Sequence, residues 1–205
     1  MKNKLAILSI LLLISVTSFS QKGFKGALYA GPVTSQVDGD NHGGYSKFGI
    51  NAGISVNFYI SDLWSFNTEM SYIQKGSSFS DAKTGVYYRL KLNYIEIPFY
   101  ITYKTLKYKK LKKFSFDLGA TVGYLFNAKE DNSGYGYLDP YPEMKSIDLN
   151  VIGAVNYIFN ENWKISVRFQ YSLMPIRKVE ANPNKYVFNR GQYNNLFALN
   201  FYRYF

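Results

Sequence analysis

The stretch DLNVIGAVNYIFNENWKISVRFQYSL, residues 148–173, carries two candidate strands and the turn between them. Apolar or aromatic residues dominate every second position on both sides of Asn160–Asn162, and the other face carries most of the polar residues. A period of two is typical of β-strands, in which successive side chains point to opposite faces of a sheet. The stretch therefore predicts a hairpin with one apolar face and one polar face. The function class depends on which solvent the apolar face meets.

The same alternation recurs along the chain and predicts eight strands, whereas helical periodicity is nearly absent. Short connections are expected near 61–62, 105–112 and 160–162. Longer connections rich in Gly, Asn, Asp and Pro are expected near 34–45, 80–87, 129–145 and 178–190. Short turns that alternate with longer loops are typical of outer-membrane barrels. We predict an all-β fold, an eight-stranded antiparallel closed up-and-down transmembrane β-barrel.

The N-terminus has the features of a secretory signal peptide. Lys2 and Lys4 precede the short apolar segment Leu5–Val16, and small residues follow at Ser18 and Ser20. We expect a signal peptide over residues 1–20 and a barrel domain over residues 21–205, exported to the cell outer membrane. The chain has no cysteine, a net charge of +10 and 19% aromatic residues. Without cysteine, no disulfide can stabilise the fold.

The polar face favours a membrane barrel over a soluble one. It is rich in Gly, Ser and Asn, which suit the narrow lumen of eight strands. Aromatic residues stand at both ends of the apolar faces, as in the interfacial girdles of membrane barrels. The alternative is a secreted soluble β-barrel that binds an apolar small molecule in its interior. Pro98 cannot donate a ladder hydrogen bond, so it should mark a bulge or a weakly paired site.

Three sequence elements carry a family resemblance. They are Tyr72, Gln74, Lys75 and Gly76 of a YxQKG element; Tyr94, Glu96, Ile97 and Pro98 of a YxEIP element; and Gly119, Gly123, Tyr124 and Leu125 of a GxxxGYL element. In this order they resemble the PorT-like outer-membrane β-barrel family. The resemblance implies an outer membrane of Bacteroidota-type bacteria. A few relatives assist secretion and gliding, so it fixes no single role. Arg203 departs from the usual alternating C-terminal tail.

Two groups of charged residues are candidate sites. Six share the parity of the polar face and are expected to point inward as a lumen charge network: Glu69, Glu96, Asp117, Asp148, Lys164 and Arg168. Buried charges are tolerated when they are paired. Five lysines form a basic turn expected on the periplasmic side: Lys107, Lys109, Lys110, Lys112 and Lys113. This turn could contact anionic lipid or an acidic partner, or simply remain solvated.

No catalytic, cofactor-binding or metal-binding residues are predicted. The single histidine, His42, lies near Asp38 and Asp40 in a glycine-rich loop, which is more typical of a hydrated loop than of a metal site. We expect a non-enzymatic envelope component with a structural or interaction role, or an accessory subunit of a secretion or uptake complex. Its expected partners are outer-membrane lipid and a periplasmic or outer-membrane protein. Export makes nucleic acid an unsuitable partner.

Overall fold

The structure, a computed structural model, describes residues 23–40, 42–83, 85–106, 108–132, 134–177 and 191–205. The segment expected to be a signal peptide lies outside these residues. The strands are β1 (Phe24–Asp38), β2 (Lys47–Tyr59), β3 (Trp64–Asp81), β4 (Val86–Lys104), β5 (Phe114–Asp131), β6 (Ile147–Asn160), β7 (Trp163–Ser172) and β8 (Tyr193–Tyr204). Among the described residues, no helix is long and apolar enough to cross a membrane.

The eight strands form a closed antiparallel barrel. Each pairs with its neighbour in chain order, and β1 pairs with β8, so the sheet has no free edge. This confirms the predicted fold. The connections 60–63, 105–113 and 161–162 lie at one end, which we call the turn end. The connections 39–46, 82–85, 132–146 and 173–192 lie at the other, the loop end. Residues 178–190 of the last loop, one of the predicted loops, lie outside the described residues.

The outer surface of the barrel is an apolar band between two aromatic zones. Exposed aliphatic residues such as Ile54, Ile97 and Val167 occupy the middle. Trp64 packs against Tyr103 near the turn end, with ring centroids 4.8 Å apart. Aromatic pairs also lie near the loop end. The ten residue steps from Phe48 to Phe58 span about 25 Å in a tilted strand, which is the thickness of a membrane barrel's apolar band.

The polarity of the barrel wall reverses along β4. Towards the turn end, Ile95 and Ile97 point outward and are exposed. Towards the loop end, Leu90 and Leu92 point inward and are fully buried, while Lys91 between them is partly exposed. The phase of the apolar pattern therefore switches while the strand continues. A wall that is apolar outside suits lipid, and a wall that is apolar inside suits water. The barrel thus extends beyond its apolar band at the loop end.

A buried apolar cluster fills the barrel towards the loop end, and we call it the apolar plug. Its members are inward-facing strand residues, together with Ile176 from the last loop: Val33, Val37, Ile73, Tyr88, Leu90, Leu92, Tyr94, Ile176, Leu196 and Ala198. Most have 0–1% of their surface exposed. The plug therefore packs like the core of a water-soluble domain.

Several strands are longer than the sequence pattern predicts. The loop expected near 80–87 is only the connection 82–85, because β3 and β4 pair as far as Asp81 and Val86.

The weak pairing expected at Pro98 is visible in the β3–β4 ladder. The β3–β4 ladder is interrupted at Glu69 and Met70, opposite Pro98 and Ile97, but its register is the same on both sides. The site is weakly paired and has no bulge.

Candidate functional site

Glu69 on β3 and Arg168 on β7 meet inside the barrel. Arg168 Nη1 donates to Glu69 Oε2 at 2.9 Å, and Nη2 donates to Oε1 at 3.0 Å. The hydroxyls of Tyr100 and Tyr202 donate to the same Oε1 at 2.5 and 2.9 Å. All four residues are buried. We call them the Arg168 cluster; its bidentate, charge-assisted geometry is the strong form of such a pair.

A second cluster lies around Lys75 on β3. Its ammonium is 2.5 Å from Glu96 Oε1 and 3.1 Å from Asp148 Oδ2. Gln170 Nε2 donates to both Glu96 oxygens at 3.0 Å, and Asn194 Nδ2 donates to Asp148 Oδ2 at 2.8 Å. One buried cation therefore serves two buried carboxylates, and neutral donors satisfy the excess negative charge. We call Lys75, Glu96 and Asp148 the Lys75 cluster.

The three sequence elements of the family resemblance meet at the Lys75 cluster. Lys75 belongs to the first element and its partner Glu96 to the second. Gly123 of the third pairs with Glu96 in the β4–β5 ladder. A Cβ at Gly123 would lie 3.1 Å from Glu96 Oε1, so this glycine leaves room for the carboxylate. The sequence prediction missed Lys75, although it shares strand parity with Glu69 and could have been found from that signal.

The structure places all six predicted lumen residues inside the barrel, in different environments. Glu69 pairs with Arg168, whereas Glu96 and Asp148 pair with Lys75. Asp117 and Lys164 lie nearer the turn end. Asp117 Oδ1 accepts a hydrogen bond from Thr102 Oγ1 at 2.7 Å, and the Lys164 ammonium lies 4.0 Å from the ring centroid of Tyr202. Among the described residues, neither of these two forms an ion pair within 4.0 Å.

A third ion pair closes the loop end above the apolar plug. Arg177 donates through Nη1 and Nη2 to Glu130 Oε1 and Oε2, at 3.1 and 2.7 Å. The hydroxyl of Tyr88 donates to Glu130 Oε1 at 3.0 Å. Arg177 lies in the loop after β7, so this pair ties that loop to β5. It holds the part of the loop that carries Ile176 against the barrel.

The His42 loop is packed onto the barrel wall. The His42 ring stacks on Phe79 and Tyr88 at centroid distances of 4.9 and 4.7 Å. Asp40 Oδ1 accepts a hydrogen bond from the backbone N–H of His42 at 2.8 Å, and burial raises the pKa of the Asp40 carboxyl. In the part of the chain that the structure describes, no three His, Cys, Asp or Glu side chains converge as metal ligands would.

The basic turn lies at the turn end, where Lys109, Lys110, Lys112 and Lys113 are exposed. Lys107 lies outside the described residues. Lys112 and Lys113 line an open cavity of about 700 Å³ at the mouth of the barrel, which we call the basin. Every strand contributes to its lining. The turn and the mouth of the lumen therefore form one basic surface.

Comparison with known proteins agrees with this architecture. The family profile described as "Outer membrane protein beta-barrel domain" matches residues 12–178. No curated protein matches the chain significantly. Among solved structures, Ail, the attachment invasion locus protein of Yersinia pestis, in complex with the heparin analogue sucrose octasulfate, is 12% identical at a TM-score of 0.51. That comparison covers 89% of this chain and 99% of Ail. A second crystal structure of Ail is 14% identical at a TM-score of 0.50, with 90% and 100% covered.

The charged interior and apolar exterior argue against the soluble alternative. A water-soluble barrel that held an apolar ligand would need the opposite polarity. Here the lumen contains the Arg168 and Lys75 clusters, whereas exposed Ile54, Ile97 and Val167 cover the outside. The profile match covers most of the chain. The chain therefore belongs to the outer membrane protein beta-barrel domain family and is an integral β-barrel of the outer membrane.

Proposed function

We propose that this protein is a non-enzymatic, non-conducting interaction component of the outer membrane that acts through the two ends of a closed barrel. The observation that carries this proposal is the filled lumen. The Arg168 cluster, the Lys75 cluster and the apolar plug occupy the interior, and their side chains are buried. A side chain without exposed surface cannot meet a substrate, and a lumen of eight strands is just wide enough for its own side chains.

The loop end offers an aromatic surface to a partner. Within the loop 132–146, Tyr135 and Tyr141 expose 97% and 89% of their surface, and Leu138 exposes 75%. Exposed tyrosines give large contact areas at a small cost in side-chain entropy, which is why they are common in binding surfaces. With cleavage of the expected signal peptide after residue 20, the N-terminus starts in the periplasm. In that orientation the loop end faces the cell exterior and the turn end faces the periplasm.

The resemblance to PorT-like proteins supports a more specific role. It favours an accessory subunit of a secretion or uptake complex, or a structural component, in a Bacteroidota-type envelope. The convergence of its three elements on the Lys75 cluster indicates what those elements do physically. They fix the charged interior and, in our proposal, keep the barrel rigid and shut. The working surfaces would then be the loops and turns.

Reconstitution into planar lipid bilayers tests the closed lumen. The wild-type protein should produce no discrete conductance steps, and a steady open conductance would contradict the proposal. Photo-crosslinking residues placed at Tyr141 and Lys110 in native membranes test the two working ends. We expect discrete protein adducts from at least one end and none from the matched position Val167, whose side chain is exposed on the apolar outer wall. Adducts from Val167 alone would place the interaction on the wall.

A further inference from the structure

The basin is an extension of the lumen and not a groove on the outer wall. Its lining includes Lys25 of β1, Lys104 of β4 and Lys164 of β7. These three share the strand parity of the buried residues Ala27, Thr102 and Arg168. Their side chains therefore face the barrel axis. The headgroups of the lipids around the barrel contact the outer face of the wall, so a ligand of the basin enters from the aqueous side.

The charge of the basin is unbalanced. Five lysines line it, namely Lys25, Lys104, Lys112, Lys113 and Lys164, and Glu161 is the single acidic residue in the lining. Among the described residues, no carboxylate lies within 4.0 Å of any of the five ammonium groups. Lys25 donates to the backbone carbonyl of Glu161 and not to its carboxylate.

Tyrosine rings occupy the positions that carboxylates could have taken. The ammonium groups of Lys104 and Lys164 lie 4.4 and 4.0 Å from the ring centroids of Tyr59 and Tyr202. An aromatic face attracts a cation but leaves its charge uncompensated. Lys164 has only 6% of its surface exposed and lies at the floor of the basin. Its ammonium hydrogen-bonds with Tyr204 and is attracted by Asp117 and Glu69 from beyond 4.0 Å. A buried ammonium with no carboxylate in direct contact is the feature expected where an external anion completes the site.

We propose that the basin binds an acidic segment of a periplasmic protein, an extended peptide in which carboxylates alternate with apolar side chains. The volume of about 700 Å³ is within the range of ligand-binding cavities. Apolar Leu106 and Ile158 line it among the lysines. A peptide in which carboxylates alternate with apolar side chains matches both the lysines and the apolar residues of the lining. A bare phosphate would leave the apolar residues without a contact. This inference rests on the proposed function and names the partner chemistry at the turn end.

Binding can be measured on the full chain in phosphatidylcholine nanodiscs, which contribute no net lipid charge. The probe is a fluorescein-labelled octapeptide of alternating Glu and Leu, and its control has Gln in place of Glu. Fluorescence anisotropy should show binding of the acidic peptide and not of the control. Lys112→Gln with Lys113→Gln should weaken binding about tenfold or more. Lys109→Gln with Lys110→Gln removes the same charge from the same turn outside the basin lining, so it should change binding less than about twofold.

Three outcomes would overturn the proposal: no binding of the acidic peptide, equal losses in the two double variants, or complete displacement by equimolar pyrophosphate, which would make the basin a phosphate site. Lys164→Gln tests whether the lysine at the floor of the basin contributes to binding. If Lys164→Gln prevents folding, the two double variants of exposed lysines still test the proposal. A failure here is distinct from a failure of the proposed function. A closed barrel that still gives position-dependent adducts in native membranes but does not bind the peptide rejects only the basin assignment.

Discussion

Arg168 and Glu69 are separated by 99 residues in the chain and form a two-point ion pair across the lumen, at 2.9 and 3.0 Å. We expect Arg168→Ala to lower the free energy of unfolding by about 3–5 kcal/mol, because it leaves a buried carboxylate without its cation. Urea unfolding in detergent micelles, followed by the fluorescence of Trp64 and Trp163, measures the change. An unchanged unfolding midpoint and slope would show that the pair does not stabilise the barrel.

The pair between Lys129 and Asp139 provides the matched control for Arg168. Its atoms are 2.7 Å apart, but the side chains are 42% and 86% exposed. Lys129→Ala should therefore cost no more than about 1 kcal/mol. The contrast separates the effect of burial from the mere removal of an ion pair. A double change of Glu69→Ala with Arg168→Ala should cost less than the sum of its single changes, since neither charge is then left unpaired.

Gly76 is required by the backbone next to the Lys75 cluster. Its φ is 132°, and a Cβ there would lie 2.0 Å from the carbonyl oxygen of Leu90 on the paired strand. Backbone strain alone should cost about 1–3 kcal/mol in Gly76→Ala, and the steric clash adds to it. Gly43→Ala is the control, because a Cβ at Gly43 meets no atom within 4 Å. Equal unfolding curves for the two variants would contradict this assignment.

The destabilisation caused by a charge on the outer wall should depend on how deep that charge lies in the membrane. Val167 lies at the middle of β7 and is 51% exposed, and Leu173 lies just beyond the loop end of that strand. Val167→Arg should destabilise the membrane-inserted barrel by about 2–4 kcal/mol, and Leu173→Arg by about 0–1 kcal/mol. Heat-modifiable gel migration reports the folded fraction, and unfolding from lipid vesicles gives the energies. Equal effects at the two positions would argue against an apolar membrane environment at Val167.

The orientation of the barrel can be tested with single cysteines, because the native chain has none. Lys110→Cys lies in the exposed basic turn and Asn132→Cys in the loop at the opposite end. In intact cells an impermeant thiol reagent should label the Asn132 variant and spare the Lys110 variant. Opening the outer membrane should make both reactive. Labelling of the Lys110 variant in intact cells would show that the topology is inverted and that the turn end does not face the periplasm.

The sequence by itself determined the barrel and the polarity of its wall. Alternation of period two, visible from Leu149 to Leu173 and in six other segments, identified the strands and their outward faces. Alternation is sufficient for this because the side of the sheet to which a side chain points depends only on the residue's position in its own strand. The ends of the strands were predicted less accurately. From Leu92 towards Val86, at the loop end of β4, the outer solvent changes from lipid to water. The apolar residues there point inward, so the pattern no longer matches that of the lipid-facing wall.

The grouping of the lumen charges required the tertiary structure. Parity placed Glu69, Glu96 and Asp148 inside, but it could not show that Lys75 joins the last two while Arg168 takes the first. Partners from strands that are not adjacent, such as β3 and β7, meet only because closure of the barrel sets their relative heights and distances. The basin has the same origin. Its lysines come from β1, β4, β7 and the connection 105–113, and the closed ring brings them to one mouth.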